Sequence, residues 1–541
     1  MSKPDLSVLD RRLVLLQARG PEPIDPSVVG SKAANLIRLA EAGLPVPPGF
    51  VLSTEVCAHY HDRHHLGPGV AELIFAGVAK LERDTGRQFG GSRRPLLVAV
   101  RSGAPVSMPG MLDTILDVGL CDVSLGGLLT ASGDPAFVWD SYRRLVQCYA
   151  EVVEGCPPDP FRAEVDAVLA GAAVPDVSEL DVASLRELVG RLQLVYQSLT
   201  GRPFPQDPHE QLLGAVEAVL RSWNSERAVE YRRLEGLSGL PGTAVTVQTM
   251  VFGNLGLRSG SGVAFTRDPA TGRNQMYLDF VPNAQGEDVV AGRNSAAGSG
   301  TLVAAIPGVV RQLESVRRTL EELFSDAQDF EFTVEDGKLW LLQTRTAKRT
   351  ALAALQIACD QVDEGIIDPA TALQRLEGYD LDQIKLLQLE LDPGIEPAGS
   401  ATPASTGVAA GLVALDVNAA LRLAAGTQPV ILVREHASTA DIAALAVCRG
   451  LLTATGSRTS HAAVVARQLG VVCLVNCADL SIGPAAGHLR IGNHKLQAED
   501  PITIDGSSGL IYRGLLRVTE QRPTDLLDRV RTWRKCGNHQ P

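Results

Sequence analysis

Hydrophobic residues recur with two different periods along this chain, and the changes between them predict where helices and strands lie. Residues 121–235 carry apolar and aromatic side chains at i, i+3 and i+4, as in WDSYRRLVQCYAEVV, which is typical of amphipathic helices. The run PLLVAV, which begins at Pro95, predicts a buried strand, and the alternation in TAVTVQTMVF, residues 243–252, predicts another. The first half of the chain is thus predicted to be mixed α/β, with a helical insertion at residues 121–240.

The second half of the chain divides into segments with different patterns. Residues 329–345, DFEFTVEDGKLWLLQTR, alternate on both sides of Asp336-Gly337 and predict a β-hairpin. From residue 406 to 515, short strand patterns alternate with helical ones. We therefore expect a first domain over 1–345, a helical linker over 346–395, a compact α/β domain over 396–515 and a charged, peripheral C-terminal tail over 516–541.

The composition narrows the classes of protein that this chain can be. Its 541 residues are 45% hydrophobic, enough for several packed cores, and its formal net charge is −12. An acidic chain is not attracted to nucleic acid or to an anionic membrane surface, so we expect neither as a partner. No apolar run reaches the ~20 residues that span a bilayer, the first residues are too charged for a secretory signal, and the cysteines form no CxxC pair. We therefore expect a soluble, cytoplasmic protein.

The stretch TATGSRTSHAAVVARQLG, residues 453–470, places a histidine at the start of a predicted helix. Thr459 or Ser460 can cap the helix that follows a turn at Gly456, so His461 falls in its first turn. The helix dipole disfavours a protonated histidine there, whereas the terminal N–H groups stabilise a phosphate attached to it. Neutral imidazole is also the nucleophilic form. The alternative is a structural histidine bonded to a local carbonyl, and position alone does not decide between the two.

Two cations lie where a phosphate group would explain them. In residues 30–52, GSKAANLIRLAEAGLPVPPGFVL, Ser31 can cap a helix that ends before Gly43, which puts Lys32 in the first turn. A lysine is mildly unfavourable there unless an anion is its partner, and the alternative is a solvated side chain. Arg101 follows the run PLLVAV and precedes small residues, where its planar fork can bind phosphate oxygens. The alternative for Arg101 is an ion pair with a nearby carboxylate.

The predicted hairpin carries polar side chains on both strands. Asp329 and Glu331 share one face of the first strand, and Gln343 and Arg345 share one face of the second. A three-residue loop, Glu335-Asp336-Gly337, would bring all four together, whereas a two-residue turn would place the pairs on opposite faces. Two carboxylates, an amide and a guanidinium on one face suit Mg²⁺ and a triphosphate. The alternative is a solvated face with surface ion pairs.

The Gly-rich segment at residues 253–262, GNLGLRSGSG, is less informative. It has neither the P-loop spacing nor the dinucleotide-binding spacing. It either closes over phosphates or is a flexible turn, and the sequence leaves both interpretations open.

Seven segments occur in an order that resembles the pyruvate phosphate dikinase family. They are GSKAANLIRLAEAGLPVPPGFVLS, VRSGAPVSMPGMLDTILDVGL, WDSYRRLVQ, VQTMVFGN, NAQGEDVVAG, DFEFTVEDGKLWLLQTRTAKRTA and LLTATGSRTSHAAVVAR. The SGAPVSMPG segment is more similar to the orthophosphate-using dikinase than to phosphoenolpyruvate synthase. The resemblance implies an α/β and α+β multidomain fold, with an ATP-grasp nucleotide-binding domain that carries a helical insertion, followed by a compact α/β swivelling phosphohistidine domain.

The resemblance also implies a role for each candidate residue. ATP phosphates are contacted by Lys32 and Arg101, and this site is completed by Gln343 and Arg345. Adenine is held by the backbone of Met250 and Val251. The phosphates and a Mg²⁺ ion lie by Asp279, Asp329 and Glu331, of which Asp329 and Glu331 are metal ligands. The phosphorylated nucleophile is His461, supported in its loop by Gly456, Thr459 and Ser460.

The activity that the resemblance implies is a phosphoryl transfer through histidine. In the family, the histidine takes a pyrophosphoryl group from ATP and releases AMP, and orthophosphate then removes the terminal phosphoryl group as pyrophosphate. We expect this nucleotide half-reaction here, with ATP and orthophosphate as partners and phosphohistidine at His461 as the product. The resemblance is also compatible with a homodimer.

Two departures from the family pattern restrict this expectation. Where the family has two glycines before x-Thr-Ser-His, this chain has Gly456-Ser457, and the serine Cβ makes the turn less permissive. The family's phosphoenolpyruvate/pyruvate TIM barrel needs roughly 250 residues, and residues 516–541 are too short to supply it. We therefore expect the phosphoryl acceptor to be a separate acceptor-domain protein or a small molecule, and we expect pyruvate alone not to discharge the histidine.

Two other functions stay open at this stage. A kinase for another small acceptor would resemble the related antibiotic phosphotransferases, although residues 347–395 are too short for their extra substrate domain. An ATP-sensing regulatory module would bind nucleotide without releasing AMP. If His461 serves two sites, it must move between them, and the hinge is expected within residues 346–405.

Overall fold

The structure of the chain is a computed structural model that describes most of its residues. The described ranges are 12–17, 24–67, 69–106, 108, 111–286, 302, 306–392, 394–437, 441–456, 458, 460–483 and 487–537. The chain forms two compact units, of which the first comprises Met1–Gly256 with Trp340–Thr344 and the second comprises Leu257–Leu339 with Arg345–Pro541.

These units do not follow the domain boundaries expected from the sequence. The predicted first domain, 1–345, is divided after Gly256, and the chain returns to the first unit for five residues of the predicted hairpin. Nothing in the local pattern of residues 340–344 indicates this return, because it depends on contacts with distant segments. The predicted domains stay a prediction, since one compact unit can contain more than one domain.

The first unit is built on an antiparallel sheet. Its elements, in chain order, are β1 (Leu13–Leu15), α1 (Pro26–Glu41), β2 (Gly49–Leu52), α2 (Thr54–Arg63), α3 (Val70–Thr85), β3 (Gln88–Phe89), β4 (Pro95–Leu96), β5 (Val98–Gly103), β6 (Thr114–Val118), α4 (Asp122–Ser132), α5 (Pro135–Cys148), α6 (Asp159–Ala172), α7 (Val182–Thr200), α8 (Pro208–Ser222), α9 (Glu226–Leu234) and β7 (Ala244–Thr249). Five strands pair in the order β1-β2-β7-β5-β6. A π-helical turn, Tyr149–Val153, continues α5, and a 3₁₀ turn, Val177–Glu179, precedes α7.

Helix α1 starts earlier than the pattern predicted. It begins at Pro26, where the Asp25 side chain caps it by accepting a hydrogen bond from the Ser27 N–H at 2.8 Å. Ser31, the predicted cap, therefore lies inside α1, directly after a break at Gly30. A helical segment does begin directly after Gly30, as predicted, whereas the earlier segment that Asp25-Pro26 starts was missed.

Helices α4 to α9 form the region between β6 and β7, where the sequence predicted a helical pattern. Aspartates cap three of these helices by accepting backbone N–H bonds at 2.7–3.0 Å, and they are Asp134, Asp181 and Asp207. The buried rings of Tyr142, Tyr149 and Tyr196 surround Phe204 in edge-to-face contacts with centroids 5.4–6.0 Å apart. Caps and aromatic packing together stabilise this helical region.

The second unit contains two larger sheets. Its elements are β8 (Gly260–Phe265), β9 (Tyr277–Pro282), α10 (Pro307–Phe324), β10 (Gln328–Glu335), β11 (Lys338–Thr346), α11 (Ala351–Asp363), α12 (Pro369–Leu376), β12 (Leu386–Glu390), β13 (Gly399–Ser400), β14 (Thr402–Ser405), β15 (Val408–Ala414), α13 (Val417–Ala425), β16 (Val430–Arg434), α14 (Ile442–Leu445), β17 (Gly450–Thr453), α15 (His461–Gln468), β18 (Val472–Val475), β19 (Leu480–Ile482), β20 (His488–Ile491), β21 (His494–Gln497), β22 (Pro501–Asp505), β23 (Leu510–Arg513), β24 (Arg517–Gln521) and α16 (Thr524–Gly537). The first sheet has the order β11-β10-β8-β9, and the second has the order β13-β23-β22-β15-β16-β17-β18-β14.

Glycines in β8 make room for aromatic rings on one face of the first sheet. Phe332, Gly262 and Phe280 are direct cross-strand neighbours. The rings of Phe280 and Phe332 are nearly parallel, with centroids 6.2 Å apart, and a Cβ on Gly262 would lie 2.5 Å from the Phe332 ring. This part of the Gly-rich segment is therefore a strand with a packing role, and not the flexible turn that the sequence allowed.

The eight-stranded sheet is buried on both faces. Strands β15, β16, β17 and β18 run parallel to one another, and their alternate residues enter two different cores. In β16, Ile431 and Val433 pack in one core, whereas Val430 and Leu432 pack in the other. Such a sheet produces near-continuous apolar runs, which is the pattern seen at residues 430–433.

The C-terminal segment is packed, and not the peripheral tail that its charge predicted. Strand β24 pairs antiparallel with β12, and α16 packs against α11 and α12. Leu527 and Val530 of α16 are buried in the core that these helices share. The prediction failed because the apolar residues of α16 are few, although they all lie on one side of the helix.

Within the described ranges, the helices lack the combination of length and apolar character needed to cross a bilayer.

Candidate functional site

The start of the helical segment that carries Lys32 packs directly on the end of β5. Gly30 has a φ of +78°, and a Cβ at this position would lie 2.0 Å from the Gly103 carbonyl oxygen. The backbone N–H and the hydroxyl of Ser31 both donate to the Ala104 carbonyl oxygen, at 3.0 and 3.2 Å. Only glycine tolerates both this conformation and this approach. Lys32, which is half-buried, is thereby held beside the small residues that follow Arg101.

Arg101 lies inside β5, and not after the strand as the pattern predicted. Its Nη1 donates to the Leu342 carbonyl oxygen at 3.3 Å. Asn35, one helical turn after the lysine, donates from Nδ2 to the Thr344 carbonyl oxygen at 2.9 Å. The residues on both sides of Gln343 are therefore bonded to the elements that carry the two predicted phosphate-binding cations. Gln343 itself is buried.

The predicted adenine-binding residues lie just beyond β7, because that strand ends at Thr249. The Met250 N–H donates to the Leu97 carbonyl oxygen at 2.9 Å, so this group is occupied by the protein itself. Met250 is buried, and Val251 is half-buried. A backbone contact to adenine from this segment thus depends on groups other than the Met250 N–H.

Strand register in the second unit places three predicted carboxylates on one face of the first sheet. Asp279 pairs with Val263, and Val263 pairs with Glu331, so the three residues form one cross-strand row. Asp329 lies two residues from Glu331 on the same strand and therefore on the same face. We call the surface that carries Asp279, Asp329 and Glu331 the carboxylate face.

The Arg345 guanidinium neutralises the buried carboxylate of Asp329 on this face. Its Nε donates to both carboxylate oxygens of Asp329, each at 2.8 Å, and Asp329 is only 3% exposed. Burial raises the pKa of Asp329 to about 6, although the charge of Arg345 acts in the opposite direction. Asp329 is thus ionised near neutral pH, with a carboxylate that depends on its cationic neighbour.

The turn of the β-hairpin is shorter than the three-residue loop that would have placed Arg345 and Asp329 on the same face. Strand β10 ends at Glu335 and β11 begins at Lys338, so the turn has two residues, Asp336 and Gly337, with φ of 44° and 79°. These values are typical of a type I′ turn. Of the two turns that the sequence left open, the structure has the two-residue one. The Arg345 side chain nevertheless reaches Asp329.

The carboxylate face fits a hard divalent cation only in combination with a ligand. Among the described residues, no group of three His, Cys, Asp or Glu side chains is arranged to hold a metal ion. Mg²⁺ is commonly held by one or two carboxylates together with substrate phosphates and water, so Asp329 and Glu331 satisfy that requirement. Asp279 Oδ2 is buried and has no hydrogen-bond partner in the described part of the chain, which leaves one more acceptor on this face.

His461 is the first residue of α15, the position that the sequence pattern predicted. Ser460 caps this helix, since its hydroxyl accepts a hydrogen bond from the Ala463 N–H at 3.4 Å. Gly456 has a φ of 124°, a conformation that favours glycine. Thr459, Ser457 and the side chain of His461 lie outside the described residues.

The sequence reasoning missed Arg458, which connects the histidine loop to the carboxylate face. Its Nε donates to Asp279 Oδ1 at 2.9 Å, Nη2 donates to the Leu278 carbonyl oxygen at 2.7 Å, and its guanidinium lies 4.0 Å from the Tyr277 ring centroid. Burial lowers the pKa of Arg458, but Tyr277 and Asp279 outweigh this and raise it overall. The available signal was that Arg458 is the sole Lys, Arg, Asp or Glu in TATGSRTSHAA.

Comparison with known proteins identifies both parts of this arrangement. Residues 68–297 match the family described as pyruvate phosphate dikinase, AMP/ATP-binding domain, and residues 426–509 match the PEP-utilising enzyme, mobile domain. The pyruvate, phosphate dikinases of Clostridium symbiosum and Rhizobium meliloti (strain 1021) are 43% and 40% identical to this chain over 517 and 528 residues. The chloroplastic enzyme of Flaveria pringlei is 40% identical over 510 residues.

These alignments cover most of this chain and a smaller part of each relative. They include 94% of the chain, but 58%, 58% and 53% of the three relatives, so the chain spans about half the length of the curated relatives it matches. The first family match includes Arg101 and Asp279, and the second includes the loop of His461. Residues 68–297 are therefore similar to the AMP/ATP-binding domain of pyruvate phosphate dikinase, and residues 426–509 are similar to the mobile domain of PEP-utilising enzymes.

Proposed function

We propose that this chain catalyses the nucleotide half-reaction of a dikinase, in which ATP and orthophosphate phosphorylate His461 and AMP and pyrophosphate are released. The nucleotide-binding part would have the ATP-grasp arrangement, and the mobile part would swivel as a phosphohistidine domain. One observation supports this most directly: the loop that ends at His461 packs on the carboxylate face through Arg458 and Asp279. A phosphoryl-carrying histidine and a phosphate-binding surface would have to meet in this way.

The proposed reaction has two displacements at phosphorus. A neutral imidazole nitrogen of His461 attacks the β-phosphorus of ATP, the bond between that phosphorus and the α,β-bridging oxygen breaks, and AMP leaves. An oxygen of orthophosphate then attacks the terminal phosphorus of the pyrophosphoryl group. The bond to the bridging oxygen breaks, pyrophosphate leaves, and one phosphoryl group stays on His461. The helix N-terminus at Ser460 would stabilise this added negative charge.

Each candidate residue has a proposed part in the binding of ATP. Lys32 and Arg101 would bind phosphate oxygens, with Gln343 as a further polar contact in the first unit. Adenine would be held by the backbone at Met250 and Val251, through groups other than the Met250 N–H, which donates to the Leu97 carbonyl oxygen. The Arg345 guanidinium would keep Asp329 ionised for its part on the carboxylate face.

A Mg²⁺ ion would be held by Asp329 and Glu331 together with phosphate oxygens. When bound, it supplies positive charge that neutralises the phosphates during transfer. Asp279 would assist from the same face through the oxygen that Arg458 leaves unoccupied.

Labelling of the histidine tests this proposal. The protein is incubated with Mg²⁺, orthophosphate and ATP that carries ³²P at the β-position, and protein-bound label is measured together with AMP and pyrophosphate. We expect one acid-labile, alkali-stable label per chain and equal amounts of AMP and pyrophosphate. His461→Ala should remove the label, whereas His488→Ala, an exposed histidine of the same unit, should retain it.

The outcomes separate this function from its alternatives. Nucleotide binding without AMP release would indicate a regulatory module that senses ATP. Label that forms and is then lost on addition of pyruvate would show that this chain needs no separate acceptor protein. Absence of label in the unmodified protein would overturn the proposal.

A further inference from the structure

Arg458 contacts three consecutive residues of β9, each through a different interaction. The ring of Tyr277 receives the guanidinium at 4.0 Å, the Leu278 carbonyl accepts from Nη2 at 2.7 Å, and Asp279 Oδ1 accepts from Nε at 2.9 Å. Stacking on a ring and bonding in the guanidinium plane use both features that distinguish arginine from lysine. The contact is thus specific to an arginine at this position.

A second arginine, Arg467 of α15, supports the backbone of this loop. Arg467 is 2% exposed, and it donates to the Ala404 carbonyl oxygen at 3.0 and 2.7 Å and to the Arg458 carbonyl oxygen at 3.1 Å. Beside it, the hydroxyl of Tyr277 donates to the Pro403 carbonyl oxygen at 3.2 Å. The backbone of Arg458 is therefore held by its own domain, and its side chain extends to β9.

The positive charge of Arg458 neutralises the buried carboxylate of Asp279. Asp279 is 1% exposed, and a buried carboxylate without a cation is strongly unfavourable. Arg458 satisfies Oδ1, while Oδ2 has no hydrogen-bond partner in the described part of the chain. One oxygen of Asp279 is therefore used by the histidine loop, and the other has no hydrogen-bond partner among the described residues.

We propose that Arg458 is a positioning residue that holds the loop of His461 against the carboxylate face through Tyr277, Leu278 and Asp279. For its effect on phosphorylation, this inference rests on the proposed function, whereas the contact itself does not. When Arg458 leaves, Asp279 loses its cation, so separation of the loop from β9 is favoured only if another cation takes its place. Asp279 thus couples the position of the histidine loop to cation binding.

Hydrogen exchange in the absence of nucleotide tests the contact independently of any activity. We expect Arg458→Met to raise the exchange rates of amides in residues 277–282 and 460–468 by fivefold or more. The matched control is Arg422→Met, which alters an arginine that is 67% exposed in the same unit and should leave both segments unchanged. Equal exchange in Arg458→Met and the unmodified protein would overturn the proposal.

Single-turnover labelling from β-³²P-ATP tests the consequence. We expect Arg458→Met to slow phosphorylation of His461 by at least tenfold while the Kd for ATP, measured by calorimetry with a non-hydrolysable analogue, changes less than twofold. Arg458→Lys keeps the charge but not the planar fork, so it should restore part of the rate. An unchanged rate in Arg458→Met would contradict the positioning role. Failure of the unmodified protein to become labelled would instead refute the proposed function and leave the exchange experiment decisive for the contact.

Discussion

Arg345 and Asp329 form a bifurcated contact in which a single nitrogen, Nε, donates to both carboxylate oxygens at 2.8 Å. The pKa of Asp329 in the folded chain is about 6, above its ordinary value of 3.8, because burial outweighs the charge of Arg345. Ionisation of Asp329 therefore costs stability as the pH rises from about 4 to about 6, and this cost stays constant at higher pH.

Without Arg345, the free energy of unfolding should continue to fall with rising pH beyond pH 6. In Arg345→Met the pKa of Asp329 rises further, so the variant should lose about 1.4 kcal/mol per pH unit relative to the unmodified protein above pH 6, until the new pKa is reached. Near pH 5, where Asp329 is largely protonated in both proteins, the difference should be small. Urea unfolding of both proteins at pH 5 and pH 8 measures this. In an Asp329→Asn background, the effect of Arg345→Met on stability should no longer depend on pH. If Arg345→Met alone lowers the free energy of unfolding equally at pH 5 and pH 8, the explanation is contradicted.

A methyl group at Gly30 should disrupt the first unit. The Cβ of Gly30→Ala would lie 2.0 Å from the Gly103 carbonyl oxygen, at a φ of +78°. We expect a loss of about 2–5 kcal/mol in unfolding free energy, from the backbone conformation and the overpacking together, and weaker ATP binding. Thermal and denaturant unfolding with an ATP titration measures both effects.

The matched control for this prediction is Gly190→Ala. Gly190 lies in the interior of α7, with no heavy atom within 4 Å of an added Cβ. Alanine there should stabilise the helix by up to about 1 kcal/mol. Similar effects of the two substitutions would show that the approach of Gly30 to Gly103 is not important.

Loss of the Glu331 charge should weaken ATP binding only when Mg²⁺ is present. We expect Glu331→Gln to raise the Kd for Mg·ATP about tenfold or more, because a single charge-assisted contact contributes about 1.5–3 kcal/mol. Binding in the presence of EDTA should be nearly the same as in the unmodified protein. Calorimetry with and without the metal makes this comparison, and Glu335→Gln, at the end of the same strand, is the control. A weakening that is independent of Mg²⁺ would argue against Glu331 as a metal ligand.

Truncation of a buried side chain in the C-terminal helix should destabilise the second unit. Leu527 is 6% exposed within the core that α16 shares with α11 and α12. We expect Leu527→Ala to lower the free energy of unfolding by about 2–4 kcal/mol. Asp528→Ala, whose side chain is 66% exposed, should change it by no more than about 0.5 kcal/mol. If the two variants unfold alike in denaturant, the segment is peripheral, as its composition first indicated.

Features that depend on near neighbours were predictable from the sequence. The helix that begins at His461, the hairpin centred on Asp336-Gly337 and the buried run of β5 each follow from a few adjacent residues. The exact length of the hairpin turn was not predictable, since Glu335 fits an alternating pattern either as the last strand residue or as the first loop residue. The close approach of Gly30 to Gly103 was also not predictable, because Gly103 lies 73 positions away along the chain.

By itself, the sequence determined where the mixed α/β elements lie, which residues could carry phosphoryl chemistry, and that the motifs occur in the order of the pyruvate phosphate dikinase family. Only the tertiary structure decided that Asp279 and Glu331 share a row with Val263, and that Arg458 meets Asp279 across 179 positions of the chain. The physical reason is that strand register and helix docking are set by the packing of distant segments. A one-residue shift of register would place these carboxylates on the opposite face without altering any local pattern.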